Sequence, residues 1–195
     1  MAVFEKFKQA WGNAIESEKV PDDIIQYYQG KLPDELIELW KEDGWGGYLD
    51  GILWTINPKK YEEYLKKWII INYKAYPFMR TAYGDLLILY KDIKNIINVD
   101  IIDVRHQTLG MITPNGLEDF FENKAIRKGK ITGKINGLSL LDVSESLGNL
   151  HHDECYGFQP ILALGGEEKI ENLKIVKFDT HLEILTQALS EPIEA

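Results

Sequence analysis

Apolar residues recur at intervals of three and four over several stretches of the chain, the spacing that is typical of amphipathic helices. The first stretch carries one apolar face from Val3 to Ile15. A clearer helix begins after Pro33, where Asp34 and Glu35 fall in the first turn and suit the helix dipole. Both stretches are therefore predicted to be helices.

The second of these helices is predicted to bury Leu36, Leu39 and Trp40 along one stripe. Gly44 suits the position just after its last turn, where a left-handed backbone conformation is common. Trp45 is then expected to fold back onto Trp40.

Residues 44–51 contain four glycines, which allow tight turns and close approach of the backbone. We expect a turn that packs beneath Trp45 and Tyr48. The segment matches neither Gly-x-Gly-x-x-Gly nor Gly-Lys-Ser/Thr, and its neighbours are acidic and aromatic, so it is not a phosphate-binding loop.

Residues 52–56 are predicted to form a strand, and a helix is predicted to follow it. Asn57 suits the N-cap position of that helix, and Pro58 suits its first turn. Apolar and aromatic residues then repeat at helical spacing, namely Tyr61, Tyr64, Leu65 and Trp68.

The hydrophobic period changes after Pro77. Residues 78–83, 86–90, 96–102 and 108–112 are predicted to be strands with short polar connections. Short connections favour antiparallel neighbours, so we expect a meander. The predicted fold class is α+β, with a central antiparallel sheet flanked by helices at both termini.

The last third of the chain alternates between helical and strand patterns. Helices are predicted around residues 117–121, after Thr113-Pro114, and over 139–147. Residues 173–178 are predicted to be a strand. The segment 180–183 has the spacing of a capping box, so it is expected to open a final helix.

A short apolar run lies between a proline and two glycines. Pro160 suits the first residue of a strand, since it has no N–H to donate. Residues 161–164 are predicted to be a strand buried on both faces, although periodicity alone does not separate this from a buried helical turn. Gly165 and Gly166 are expected to form the turn that follows.

Residues 153–166 read Asp-Glu-Cys-Tyr-Gly-Phe-Gln-Pro-Ile-Leu-Ala-Leu-Gly-Gly. This stretch resembles the hallmark of the C-terminal domain of type VI secretion immunity proteins, and residues 172–177 and 181–185 also resemble that family. Cys155 stands where another apolar residue is expected. The resemblance implies antagonism of a type VI effector, namely a DNase.

An upstream pattern, with Leu-Pro-Asp-Glu-Leu, Gly-Trp-Gly-Gly-Tyr and Gly-Ile-Leu-Trp, resembles the GAD-like domain over residues 30–60, and 80–86 continue it. The similarity to the SUKH superfamily of immunity proteins is weaker. We predict a GAD-like region over residues 1–112 and an immunity-protein region over 113–195, folded as one compact unit.

The chain carries 31 acidic and 22 basic residues, for a formal net charge of −9. Phosphate binding needs a basic surface, so we expect no direct nucleic-acid partner. No apolar run has the roughly 18 residues that a membrane span needs, and no signal peptide is apparent. The single cysteine excludes an internal disulfide and suggests a reducing compartment. We expect a cytoplasmic protein with no membrane partner.

Two chemical alternatives concern residues 151–155, whose side chains include every common metal-ligand type. Adjacent residues rarely point the same way, and a tetrahedral metal site takes ligands from separated positions, which favours a polar loop. A Cys155 nucleophile would need an orienting group and oxyanion donors that no motif supplies, which favours a buried thiol. We therefore expect no metal, no cofactor and no catalytic residue.

One basic stretch interrupts the acidic chain, and it comprises Lys124, Arg127, Lys128, Lys130 and Lys134. Because no aromatic residues are interleaved with it, a solvated loop is favoured over a nucleic-acid site.

The functional prediction is a bacterial immunity protein that neutralises a cognate toxin, a basic nuclease domain, by stoichiometric binding. Carboxylates beside aromatic groups suit recognition of a basic protein. The predicted contact residues are Trp45, Tyr48, Asp50, His151, His152, Asp153, Glu154 and Tyr156. Two alternatives are a small metal- or thiol-dependent hydrolase using His151, His152 and Cys155, and a ligand-binding regulatory module.

Overall fold

The computed structural model describes residues 4–127, 134–135 and 138–194. Its helices, in chain order, are α1 (Glu5–Trp11), α2 (Asp22–Tyr28), α3 (Asp34–Asp43), α4 (Pro58–Trp68), α5 (Gly116–Asp119, continued by a π-helical turn over Phe120–Ala125), α6 (Leu140–Leu147) and α7 (Phe178–Gln187). Short 3₁₀ turns lie at Leu162–Leu164 and Ile170–Asn172.

The strands of the described residues are short to medium in length. In chain order they are β1 (Ile15–Glu18), β2 (Trp45–Tyr48), β3 (Leu53–Thr55), β4 (Ile69–Ile70), β5 (Ala75–Thr81), β6 (Leu86–Lys91), β7 (Ile97–Asp103), β8 (Thr108–Thr113), β9 (Lys134–Ile135), β10 (Leu138–Ser139), β11 (Glu154–Phe158), β12 (Leu173–Lys177) and β13 (Ile193–Glu194).

Within the described residues, seven strands form one sheet in the order β1-β2-β3-β5-β6-β7-β8, and every neighbouring pair is antiparallel. Strands β5 to β8 follow one another directly, which confirms the predicted meander. Helices α2 and α3 lie between β1 and β2 in the chain, and α4 lies between β3 and β5. The fold is α+β with helices at both ends, as predicted.

The C-terminal segments attach to the seven-stranded sheet through a separate two-stranded hairpin, formed by β11 and β12. Strands β11 and β12 pair antiparallel, and the Tyr156 amide donates to the Ala82 carbonyl, just after β5, at 2.7 Å. Helix α7 contacts α4, where the Trp68 indole donates to the Thr186 hydroxyl at 2.8 Å. One buried cluster holds Phe7, Phe78 and Phe158 together, so apolar residues from distant parts of the chain share a core.

Helix ends follow the local sequence signals. The Gly44 amide donates to the Trp40 carbonyl at 3.0 Å, with Gly44 at a φ of 71°. The Trp45 ring packs edge-on against Trp40 with centroids 5.9 Å apart, as predicted. The Asn57 side chain accepts from the Lys59 amide at 3.0 Å and caps α4. These contacts span few residues, which is why the sequence indicates them.

Two predictions near the beginning of the chain are wrong. The first helix ends at Trp11, and Ile15 begins the edge strand β1. Residues 45–48, predicted to be a turn, form strand β2 between β1 and β3. Bare backbone makes this possible: a Cβ built on Gly46 would lie 3.0 Å from the Ile15 carbonyl oxygen.

Two predictions near the end of the chain are also wrong. Residues 161–164 do not form a buried strand, because the ladder ends at Phe158 and a 3₁₀ turn leaves Leu164 70% exposed. Pro160, which has no N–H, cannot continue the ladder. Helix α7 begins at Phe178 rather than at a Thr180 cap. Its start is fixed by the buried Phe178 side chain and by a hydrogen bond of 2.8 Å from the Phe178 N–H to the Asp153 carbonyl.

A buried ion pair supports the turns at one end of the meander. Arg105 Nη2 lies 3.3 Å from Asp85 and 3.1 Å from Asp103, and its guanidinium covers the Tyr83 ring. Burial raises the pKa of Asp85 to about 6, and the Arg105 charge opposes that rise. His106 extends the network to Glu168 at 3.3 Å.

None of the helices within the described residues combines the length and apolar character that a membrane crossing requires. Residues 128–133 of the basic stretch lie outside the described part of the chain, and Lys124 forms an ion pair with Asp119 at 3.7 Å.

Strand β2 provides a stability test. A Cβ on Gly47 would lie 2.8 Å from the buried Trp54 ring, whereas a Cβ on Gly110 in β8 would lie 3.5 Å from Ile101. Gly47→Ala should lower the free energy of unfolding by about 1–3 kcal/mol through overpacking. Gly110→Ala, the matched strand control, should change it by less than about 0.5 kcal/mol. Urea denaturation measures both, and equal effects would contradict the packing account.

Candidate functional site

A cleft of about 550 Å³ lies between the sheet and the C-terminal segments. Trp45 from β2, Trp54 from β3 and Tyr61 from α4 supply aromatic lining. Phe178 and Asp179, at the start of α7, also line it, and the Phe178 ring packs against Tyr61 with centroids 5.5 Å apart. The cleft is within the range of about 300–1,000 Å³ that is usual for ligand pockets. We refer to it as the seam cleft.

Arg80, from the middle of the sheet, lies in the floor of the seam cleft. Its guanidinium is 4.5 Å from the Phe178 ring centroid and 5.1 Å from that of Trp54. Nη2 donates to the His152 carbonyl at 2.8 Å. Burial lowers the pKa of Arg80 to about 10, so the group stays charged at neutral pH.

The rim of the seam cleft carries several acidic groups, most of which have a partner. Asp179 accepts from Lys60 at 2.6 Å and from the Tyr61 hydroxyl at 2.9 Å. Asp153 pairs with Lys177 at 2.7 Å. Hydrogen bonding to Lys177 holds the pKa of Asp153 below its usual value. These contacts are half-exposed, so each contributes little to stability alone.

Glu16, from the edge strand β1, bridges to the histidine pair. One carboxylate oxygen lies 2.5 Å from His151 Nδ1, and the other accepts from the His152 amide at 2.9 Å. The hydrogen bond raises the pKa of His151 and lowers that of Glu16. The exposed imidazole of His151 therefore binds a proton more readily than a free one does.

The structure distributes the predicted contact residues among three environments. Trp45, His152 and Asp153 line the seam cleft together. His151 is exposed and Glu154 is half-buried on the adjoining surface, where Glu154 accepts from the His151 amide at 3.1 Å. These five residues form one continuous region.

The remaining three predicted contact residues lie elsewhere. Asp50 is exposed in the turn after β2, outside the seam cleft. Tyr48 and Tyr156 have buried rings, with hydroxyls that donate to Asp43 at 2.8 Å and to the Gly148 carbonyl at 2.5 Å. Both tyrosine rings are part of the core beneath the surface, so in the folded protein they offer no area for contact with a partner.

Cys155 and the histidine pair do not converge. Cys155 is fully buried, and burial raises the pKa of its thiol to about 12, so it is not a thiolate at neutral pH. Both histidines of the pair approach Glu16 instead. Among the residues that the structure describes, no group of three or more His, Cys, Asp or Glu side chains could hold a metal ion.

Sequence reasoning missed Arg80, Lys60 and Asp179 as members of the site. Arg80 offered a usable signal, because it is the one charged residue in the strand Ala75–Thr81. A lone arginine inside an apolar strand must find polar partners, so it marks a candidate site. Lys60 and Asp179 are surface residues of separate helices, and nothing in their spacing brings them together.

Residues 2–103 match the family model of the GAD-like domain. The chain belongs to the GAD-like domain family. Residues 116–188 match the model described as T6SS immunity protein Tdi1, C-terminal, where T6SS is the type VI secretion system. Both resemblances found in the sequence are confirmed, and the second match supports a role in type VI immunity. We call the two segments the GAD-like region and the Tdi1-like region.

A solved structure shares the fold. The crystal structure of Atu4351 from Agrobacterium tumefaciens superposes with a TM-score of 0.77 at 17% sequence identity, covering 95% of this chain and 89% of that one. No curated protein matches the sequence. The seam cleft draws its residues from both regions, with Trp45, Trp54 and Arg80 from the GAD-like region and Asp153 and Phe178 from the Tdi1-like region.

The histidine chemistry gives a pH-dependent prediction. His151 should titrate above the ordinary histidine pKa, and the buried His181 should titrate below it because burial disfavours the cation. Glu16→Gln should lower the pKa of His151 and leave His106 and His181 unchanged. The Glu16–His151 ion pair exists between the lowered pKa of Glu16 and the raised pKa of His151, because it needs both the carboxylate and the imidazolium. As pH rises through the raised pKa of His151, the contribution of the pair to stability is lost.

Proton NMR titration of the imidazole C–H signals measures all of these values. His106 is the internal control in both proteins, because it pairs with Asp103 and Glu168 rather than with Glu16. A pKa for His151 that is the same in both proteins would show that the contact with Glu16 does not form in solution.

Proposed function

We propose that this chain neutralises a cognate type VI secretion effector by stoichiometric binding, and that the effector is a nuclease. The observation that carries the proposal is the match of residues 116–188 to the Tdi1 C-terminal family. The effector would be met in the cytoplasm, where its nucleic-acid substrate lies. Inhibition then needs only a surface that binds the effector, and no catalysis by this chain.

Charge supports this choice of partner. The formal net charge is −9, and a nuclease is usually basic where it meets nucleic acid. An acidic inhibitor can occupy such a surface and is drawn to it by long-range attraction, which speeds association. Asp153 lines the seam cleft together with Trp45, and Glu154 follows it on the adjoining surface, so both supply negative charge near an aromatic side chain.

The region best placed for contact adjoins the seam cleft. It comprises Trp45, His151, His152, Asp153 and Glu154, held by the hairpin β11–β12 and by Glu16. A half-buried tryptophan with polar neighbours is typical of a binding hot spot. Because backbone hydrogen bonds anchor the hairpin to the sheet, these side chains are presented on a rigid support.

Co-expression tests the proposal directly. The proposal predicts that a neighbouring reading frame encodes a nuclease effector, which should kill cells when expressed alone, and that co-expression of this chain restores growth. The purified proteins should form a 1:1 complex by light scattering, and plasmid cleavage should stop at one equivalent of inhibitor. Rescue without any complex, or inhibition at far below one equivalent, would contradict stoichiometric binding.

Paired variants test the surface assignment. Asp153→Ala with Glu154→Ala should weaken the effector complex by about tenfold or more, because two charge-assisted contacts are removed. The matched control is Asp34→Ala with Glu35→Ala, an exposed acidic pair at the start of helix α3, which does not line the seam cleft and should leave affinity within about twofold. Calorimetry measures both, and circular dichroism confirms the fold. Equal affinities for the two double variants would reject this surface.

A further inference from the structure

The seam cleft contains a buried positive charge that the described residues leave without an ion pair. Arg80 is 1% exposed, and no carboxylate of the described residues lies within 4 Å of its guanidinium. Its hydrogen bonds go to two backbone carbonyls, those of His152 at 2.8 Å and Thr81 at 3.4 Å. A guanidinium has five N–H donors, so these bonds leave part of its capacity unused.

Another arginine of the same chain shows how this fold pairs a buried guanidinium charge, although the Nε of that arginine has no hydrogen-bond partner among the described residues. Arg105 is 7% exposed, and two carboxylates, Asp85 and Asp103, lie within 3.3 Å of it. These charges raise its pKa, whereas the pKa of Arg80 is lowered by burial. Buried charges are costly unless they are paired. Arg105 has carboxylate partners, whereas Arg80 has none among the described residues.

Apart from Glu18, the other charged side chains that line the seam cleft have partners. Lys60 is bound to Asp179, and Asp153 is bound to Lys177. Among the described residues that line the seam cleft, Glu18 has no ion pair within 4 Å, but it lies on the exposed rim of strand β1. The unmatched charge at the floor is therefore positive.

We propose that the seam cleft binds a carboxylate-bearing ligand of about side-chain size, with the carboxylate against Arg80. A carboxylate matches the planar guanidinium and can accept from it through two oxygens. Trp45 and Tyr61 would contact the apolar stem of the ligand. A phosphate dianion fits less well, because the rim carboxylates would repel two charges more strongly than one.

The carboxylate that binds Arg80 could come from two sources, a free small carboxylate or an acidic side chain of a protein. The proposal rests on the seam cleft alone and stands whether or not this chain neutralises a toxin. Glutarate serves as the small probe, and capped Ala-Glu-Ala serves as the peptide probe. Capped Ala-Gln-Ala and Ala-Lys-Ala are the neutral and cationic controls.

The indole N–H signals of the five tryptophans provide the readout in ¹⁵N-labelled protein. Trp45 and Trp54 line the seam cleft, whereas Trp11 and Trp68 do not and serve as internal references. Trp40 is not used as a reference, because its ring packs against Trp45. At constant ionic strength, glutarate should shift Trp45 and Trp54 and leave Trp11 and Trp68 unchanged, with a Kd on the order of 1 mM as befits a ligand of few atoms. Tighter binding of Ala-Glu-Ala would identify a protein side chain as the source, and tighter binding of glutarate would identify a free carboxylate.

Two variants test the role of Arg80. Arg80→Met keeps an unbranched apolar stem, removes the guanidinium and should weaken carboxylate binding by about tenfold or more. Glu18→Lys leaves the core untouched, so it tests the proposal even if Arg80→Met does not fold. This reversal of a rim charge should strengthen carboxylate binding by about threefold, as expected for a solvent-screened charge.

Three results would overturn the proposal. In the first, Trp45 and Trp54 do not respond to either carboxylate probe at about 100 mM, far above the expected Kd. In the second, Ala-Gln-Ala or Ala-Lys-Ala shifts them as strongly as Ala-Glu-Ala does. In the third, Glu18→Lys weakens carboxylate binding or leaves it unchanged.

Discussion

The buried guanidinium of Arg80 joins the two halves of this molecule. It lies in strand β5 of the GAD-like region, donates to a carbonyl of the Tdi1-like region, and contacts an aromatic ring from each. The Tyr156 amide reaches the Ala82 carbonyl two residues further along the chain. Because these bonds converge on one strand and the turn after it, the position of the C-terminal hairpin is fixed relative to the sheet, and a cleft forms along the junction.

The features that the sequence predicted correctly depend mainly on interactions between residues that are close in the chain. The strands of the meander, the Gly44 end of α3 and the Asn57 cap of α4 depend on residues close in the chain, so their patterns were sufficient. Strand β2 was missed because its identity comes from pairing with β1 and β3, and two glycines mask the apolar alternation. The start of α7 was misplaced for a similar reason, since a distant carbonyl, that of Asp153, selects it.

The candidate site was only partly accessible to sequence reasoning. Residues 151–154 were selected for their chemistry, and the structure brings His152 and Asp153 to the cleft. Tyr48 and Tyr156 have the same amphipathic chemistry as an interface tyrosine, and only the packing shows that their rings are buried. Arg80 belongs to a strand whose pattern gives no indication of which partners surround it, because two of them, His152 and Phe178, lie more than seventy residues away.

Cys155 has a practical consequence for experiments on this protein. Its sulfur lies in the apolar core beneath the hairpin, next to the Gly84 backbone, and its thiol resists deprotonation. Maleimide reagents react with accessible thiolates, so the native protein should leave such a reagent unconsumed. A cysteine introduced on the surface would then be the single reactive handle, and fluorophores could be attached there without first removing the native thiol.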